Sequence, residues 1–320
     1  MGERPWVLSV QSFVVHGYVG NKCSLFAFQT LGIDVDPLCT VLFSNHTGYP
    51  QWRGISLSAE QMGDIVTGLA HPAVDALSHY THVVSGYCRD AESLETVART
   101  VSDLRRDRPS LIYLCDPVMG DDGSLYVPKA VADVYRSTVV RLADIVKLNQ
   151  TEAEVLTGVH ISDLASVDAA LEALHAMGPG TVIISSCSLK DDHALATLAR
   201  SMRQDEDLQG IDDVSLADTA RNKMFVFGRE ADGKRFFIPV DVIPGYFSGT
   251  GDLFSALLLG WIIKGDNAAV ACEKTVAGIN CVLQRTIAAN STELLLVQSR
   301  HDLENPPTEN FHARAMPASP

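Results

Sequence analysis

Basic residues are scarce in this 320-residue chain: 25 Lys plus Arg stand against 39 Asp plus Glu, a formal net charge of -14. A nucleic-acid groove or an anionic membrane surface calls for a basic face, so neither partner is expected, although a local basic pocket stays open. Long hydrophobic runs are missing too. The longest, 256–263, is interrupted by Gly260 and falls far short of the ~20 residues that span a bilayer. The opening MGERPWVLSV contains no long apolar run of the secretory kind. Seven cysteines form no CxxC pair and are odd in number. They read as reduced thiols of a cytoplasmic protein, packed as small hydrophobes. Apolar material is plentiful, at 46% of residues, which suits a sizeable core and excludes a disordered chain.

Short apolar runs alternate with helical patterns. Strands are expected at 6–11, 35–43, 81–85, 110–115, 143–147 and 181–186, and helices at 22–31, 58–69, 91–106, 128–140, 151–157 and 164–177. Such alternation implies right-handed βαβ crossovers: an α/β fold with a mostly parallel central sheet and helices on both faces. Residues 189–221 are polar and read as an irregular surface excursion. The runs 224–228 and 235–240 flank the turn sequence Glu230-Ala231-Asp232-Gly233 and predict an antiparallel hairpin. Helices follow at 251–263 and 267–289. No linker or repeat divides the chain, so one domain over 1–304 is expected, with a flexible proline-bearing tail over 305–320.

In such folds, ligands bind at the carboxyl ends of the strands. The strongest local signal is Ser248-Gly249-Thr250-Gly251-Asp252 at the start of an apolar helix. Glycines admit close approach of a ligand, and the free amides of a helix start form an anion hole suited to a phosphate in transfer. Asp252 sits where it could take the proton of an attacking hydroxyl. The competing reading makes Asp252 a helix cap and the glycines a turn. Asp116 and Asp121 follow one strand, and Asn149 and Glu152 follow the next; such hard oxygens suit magnesium held partly by substrate phosphates. Each is by itself also an ordinary loop or cap residue. No Walker loop or protein-kinase signature occurs, and no ordinary zinc or Cys–His site is recognisable.

The runs Leu8-Ser9-Val10-Gln11-Ser12, Gly17-Tyr18-Val19-Gly20-Asn21, Phe43-Ser44-Asn45-His46-Thr47-Gly48-Tyr49, Gly249-Thr250-Gly251-Asp252-Leu253-Phe254 and Cys272-Glu273-Lys274-Thr275-Val276 resemble the pyridoxal kinase family of the ribokinase-like superfamily. The likeness runs from about residue 7 to 298. It implies ATP-dependent phosphorylation of the 5′-hydroxymethyl group of pyridoxal, pyridoxine or pyridoxamine, in a cytoplasmic homodimer. It implies Asp252 as general base, with Gly249 and Gly251 in the anion hole. Ser12 and Thr47 would hold the ring's polar substituents, Tyr87 would lie against the ring, and Phe43 would wall the slot. Asp116 and Glu152 would serve the Mg2+ and phosphate region, and Asp121 and Tyr126 the loop over ATP. Asn149, Ser185, Ser186, Ser248 and Thr250 would contact the nucleotide, and the segment around 46–52 would act as part of a lid.

Two departures stand out. Lys147 occupies the position before Leu148-Asn149 where the family's pattern carries a threonine beside a monovalent-cation site, so weakened K+ activation is expected. The loop from Asp121 to Tyr126 is also short. Alternatives are another ribokinase-like kinase, acting on hydroxymethylpyrimidine or a sugar, and a silent protein that only binds a B6 vitamer. Retention of Asp252, Gly249 and Gly251 argues against silence, because binding alone needs no base beside an anion hole.

Overall fold

The computed structural model describes residues 4–202 and 212–317. The chain opens with β1 (Trp6–Val14), α1 (Gly20–Thr30), β2 (Asp34–Phe43), β3 (Gly54–Ser56) and α2 (Ala59–Leu69). Then come β4 (His82–Ser85), α3 (Ala91–Asp107), β5 (Ile112–Cys115) and a small hairpin, β6 (Gly120–Asp121) with β7 (Ser124–Leu125). Helix α4 (Lys129–Val134) runs through one π turn into α5 (Val140–Leu142), ahead of β8 (Ile145–Leu148), α6 (Gln150–Thr157), α7 (Leu164–Ala176) and β9 (Thr181–Cys187). The rest comprises α8 (Asp192–Ser201), α9 (Asp213–Ala220), β10 (Lys223–Arg229), β11 (Arg235–Asp241), α10 (Thr250–Ile263), α11 (Ala268–Ala288), α12 (Arg300–Glu304) and β12 (Arg314–Ala315).

Ten strands form one sheet in the order β12-β11-β10-β9-β8-β5-β4-β1-β2-β3. From β9 to β2 every pairing is parallel, while β3 and the β10–β12 end are antiparallel. Alternation along β1 explains how both faces are covered. Leu8 and Val10 point into the core beneath α3 to α9, and Val7 into the core shared with α1, α10 and α11. The chain first adds β2 on one side of β1 and then crosses to add β4 on the other. The crevice between β1 and β4 is therefore a topological switch point, where open α/β sheets bind ligands.

Two expectations are corrected. Residues 189–221 are not an irregular excursion where they are described: α8 and α9 pack together and bury Leu195, Leu198, Leu216 and Ala220 completely or nearly so. Their exposed faces carry Asp192, Arg200, Asp213 and Asp218, and this charge hides the apolar stripe in a reading by overall polarity. The stretch 203–211 of that segment lies outside the described residues. The tail does not run free over 305–317. Arg314 and Ala315 pair with Phe237 and Phe236 at the sheet edge, Phe311 packs on the core, and the Ala313 amide donates to Glu273 at 2.6 Å. Pairing with an edge strand holds this short segment in place; residues 318–320 lie outside the described residues.

Candidate active site

A cleft of about 660 Å³ opens at the carboxyl ends of β1, β4, β5 and β8. Ser12, Phe43, Thr47, Tyr87, Asp116, Asp121, Tyr126, Asn149, Glu152, Ser248, Gly249, Thr250, Gly251 and Asp252 all line it. Ser185 and Ser186 do not. They sit on β9, one strand further out, with the Ser185 hydroxyl donating to the Leu148 carbonyl at 3.2 Å.

The candidate anion hole is built by close approach. Gly249 holds φ at +91°, and a Cβ there would lie 2.0 Å from the Tyr18 carbonyl oxygen, so only glycine fits. No side chain caps α10. Its first amides therefore face the cleft with the positive end of the helix dipole. This disposes of the capping role for Asp252, whose Oδ2 instead accepts the Gly20 amide at 2.8 Å. Burial pushes that carboxyl up to about 6; the Gly20 bond and the Lys147 charge oppose the rise and Asp116 adds to it. A carboxylate of that strength can take up a proton near neutral pH.

Behind the hole lies a buried charge cluster. Lys147 Nζ donates to Asp116 Oδ2 at 2.9 Å and to the Gly251 carbonyl at 3.2 Å, and the Ser255 hydroxyl donates to the same Asp116 oxygen at 2.6 Å. Asp116 is 2% and Lys147 4% exposed. Burial works against the ammonium, but Asp116, Glu152 and Asp252 outweigh it and hold the Lys147 value above its ordinary one. Asn149 caps α6, and Glu152 completes a capping box. One Glu152 oxygen accepts the Asn149 amide and the other the Met119 amide, both at 2.9 Å. Burial, with Asp116 nearby, drives the Glu152 carboxyl upward. Asp116 Oδ1 is buried with no partner.

The hairpin β6–β7 turns through Asp122 and Gly123, both at positive φ (+47° and +75°), the signature of a tight two-residue connection. Its short length is thus a defined turn. Asn149 Nδ2 donates to the Gly120 carbonyl at 2.7 Å and the Gly123 amide to the Thr151 hydroxyl at 2.8 Å, which holds Asp121 and Tyr126 over the cleft.

The other end of the cleft is mostly apolar: Val14, Val19, Val41, Phe43, Trp52 and Tyr87, with Ser12, His46 and Thr47 as polar points. Ser12 reaches it from a bulge, because the β1–β2 register shifts between Gln11 and Phe13; bulges re-aim side chains in this way. Gly20 packs on that bulge, where a Cβ would stand 2.2 Å from the Ser12 carbonyl. Phe43 and Trp52 meet with ring centroids 4.5 Å apart. Sequence reasoning placed Trp52 only at the end of the lid segment and gave no role to Val19, Ser255 or the Gly20 amide. The motif Gly17-Tyr18-Val19-Gly20 was a visible signal for the last.

A family model for phosphomethylpyrimidine kinase matches residues 79–211. Similarity to curated pyridoxal kinases is far more extensive. That of Arabidopsis thaliana is 40% identical over 314 residues, covering 95% of this chain and 92% of the relative. That of Homo sapiens is 37% identical over 327 residues, covering 96% and 97%. The structure of pyridoxal kinase from Leishmania donovani in complex with ADP and pyridoxine aligns with a TM-score of 0.82 at 32% identity, covering 98% of this chain and 99% of that one.

Proposed function

The chain belongs to the pyridoxal kinase family, and from that premise we infer how its cleft does the work. It phosphorylates B6 vitamers with ATP, converting pyridoxal to pyridoxal 5′-phosphate and acting also on pyridoxine and pyridoxamine. One observation carries the assignment of roles. Asp252, free of any capping duty and poised near neutral, stands beside uncapped helix amides at the end of an apolar slot.

In this mechanism the vitamer ring lies among Phe43, Tyr87 and Val19, with Ser12 and Thr47 bonding its polar substituents. Asp252 takes the proton of the 5′-hydroxyl as that oxygen bonds to the γ-phosphorus, and the bond from phosphorus to the bridging oxygen breaks to release ADP. The amides of Thr250, Gly251 and Asp252 meet the charge on the equatorial oxygens. Asp121, Tyr126, Asn149, Ser248 and Thr250 hold the nucleotide, and Ser185 and Ser186 would join only from the outer rim.

The cleft places four carboxylates, Asp116, Asp121, Glu152 and Asp252, around the single ammonium of Lys147. That balance suits a divalent cation arriving with the polyanionic nucleotide. Among the described residues no group of three or more His, Cys, Asp or Glu forms a ready-made metal cage, as befits Mg2+, which relies on phosphate and water for most of its ligands. Asp116, through its unpartnered Oδ1, would be the direct ligand, and Glu152, its oxygens already taken by amides, would stand beside the ion and hold the Met119 and Asn149 backbone in place. Mg2+ would neutralise the β- and γ-phosphate oxygens. Lys147 supplies a fixed cation at Asp116 and Gly251, which supports the expectation of weak K+ activation. A cytoplasmic homodimer completes the reading. The free cysteines, five of them buried, and the exposed Leu42 and Ile55, paired at the β3 edge, support it; a monomer in sedimentation velocity would refute the dimer.

The direct assay incubates the purified protein with Mg-ATP and pyridoxal, hydroxymethylpyrimidine or ribose. Phosphorylated pyridoxal is expected as the dominant product, and its absence overturns the reading.

A further inference from the structure

Glu293 lies in the connection after α11, outside the cleft lining, and the mechanism gives it no part. Its side chain is nonetheless only 13% exposed and gathers donors from two distant segments. The Tyr49 hydroxyl donates to Oε1 at 2.7 Å, His46 Nε2 lies 3.2 Å from the same oxygen, and the Tyr18 amide donates to Oε2 at 3.3 Å. His46 Nδ1 accepts the Gly48 amide at 3.2 Å. Its proton therefore sits on Nε2, facing Glu293. Gly17, at φ +89°, wraps the carboxylate so closely that a Cβ would stand 2.3 Å from Oε2. Ser291 fixes the approach, donating to the Glu293 carbonyl at 2.7 Å.

The two segments so joined are those that close the cleft. His46 and Tyr49 flank Thr47 and Gly48, which line the slot. Tyr18 presses its carbonyl against Gly249, and the Gly20 amide binds Asp252. We propose that Glu293 is a positioning residue, a latch that holds residues 44–52 over the slot and in register with the Gly249–Asp252 corner. The role in catalysis rests on the reading of the slot as the vitamer site; the latch itself is a property of the fold.

Two measurements on Glu293→Ala and Tyr49→Phe test it. Trypsin cleavage after Arg53, exposed at the end of the segment, should accelerate about tenfold in Glu293→Ala, as expected for losing charge-assisted hydrogen bonds, with other sites unchanged. No change, or equal acceleration everywhere, overturns the latch. In steady state, the pyridoxal KM should rise roughly tenfold while the ATP KM stays within about twofold; an unchanged pyridoxal KM, or equal rises, overturns its role in catalysis. Tyr49→Phe removes one hydroxyl and leaves no cavity, so it reports even where Glu293→Ala fails to fold. It should move both readouts about threefold, and wild-type values would overturn the proposal. A wild-type protein that leaves pyridoxal unphosphorylated refutes the functional reading alone, since the proteolysis is read without substrate.

Discussion

The corner around Asp252 and the segment 44–52 face each other across one cleft and are built on opposite principles. In the corner, Asp116, Lys147 and Glu152 are almost wholly buried, and each is held by two or more partners. The covering segment is exposed along much of its length. Trp52 is 43% exposed, and the loop is held by polar bonds such as Asn45 Nδ2 to the Gln51 carbonyl at 2.8 Å and Tyr49 to Glu293. Stabilising charge as it develops needs dipoles fixed beforehand in a low dielectric. Admitting a vitamer and excluding water needs a part whose opening costs little. On the proposed mechanism, the corner governs turnover and the segment governs capture.

The sharpest way to break this division is Asp252→Asn. It should lower kcat roughly 10²- to 10⁴-fold, the range for loss of a general base, with little change in pyridoxal KM; turnover near wild type would remove Asp252 from the chemistry. In the wild type, kcat/KM should fall as pH drops through about 6, where the base becomes protonated. Stability has the opposite sign. The folded carboxyl lies above its unfolded value, so its contribution is fully present below about pH 4 and is lost as pH rises through about 6. Asp252→Asn should therefore stabilise the fold at pH 8 by on the order of 1–3 kcal/mol, and the gain should vanish near pH 4. Urea unfolding at the two values checks it.

Lys147→Thr comes next. Removing one partner of a buried pair leaves Asp116 uncompensated, at a cost of about 3–5 kcal/mol in urea unfolding. The variant should also gain a response to K+ that the wild type largely lacks. Equal K+ stimulation of both proteins would show that the ammonium does not stand in for a cation. The smallest effect belongs to the capture side: Tyr87→Ala should raise the pyridoxal KM about tenfold by losing ring contact and burial, with kcat less affected. If kcat falls as much as for Asp252→Asn, the two ends of the cleft are not separable.

Much of this was readable along the chain. Ser58, the strands of the parallel sheet and the Gly249–Asp252 turn carry local signals, because caps, periods and positive-φ glycines act within a few residues. The helices α8 and α9 escaped because Asp and Arg on their outer faces mask a narrow Ala/Leu stripe. The tail escaped because its edge pairing depends on a strand some eighty residues earlier. Ser12 was picked out, yet the bulge that aims it into the cleft was not.

The amino-acid sequence by itself determined the class of fold, the glycine turn that opens α10 and the residue types of the cleft, since these follow from neighbours in the chain. Only the tertiary structure decided what each group touches. Asp116 meets Lys147 across 31 residues, Gly20 meets Asp252 across 232, and His46 meets Glu293 across 247. Those meetings depend on strand order at the switch point and on helices crossing from opposite faces. Local chemistry names the groups, but the sheet order sets which of them share a low dielectric and so which charges shift, pair or react.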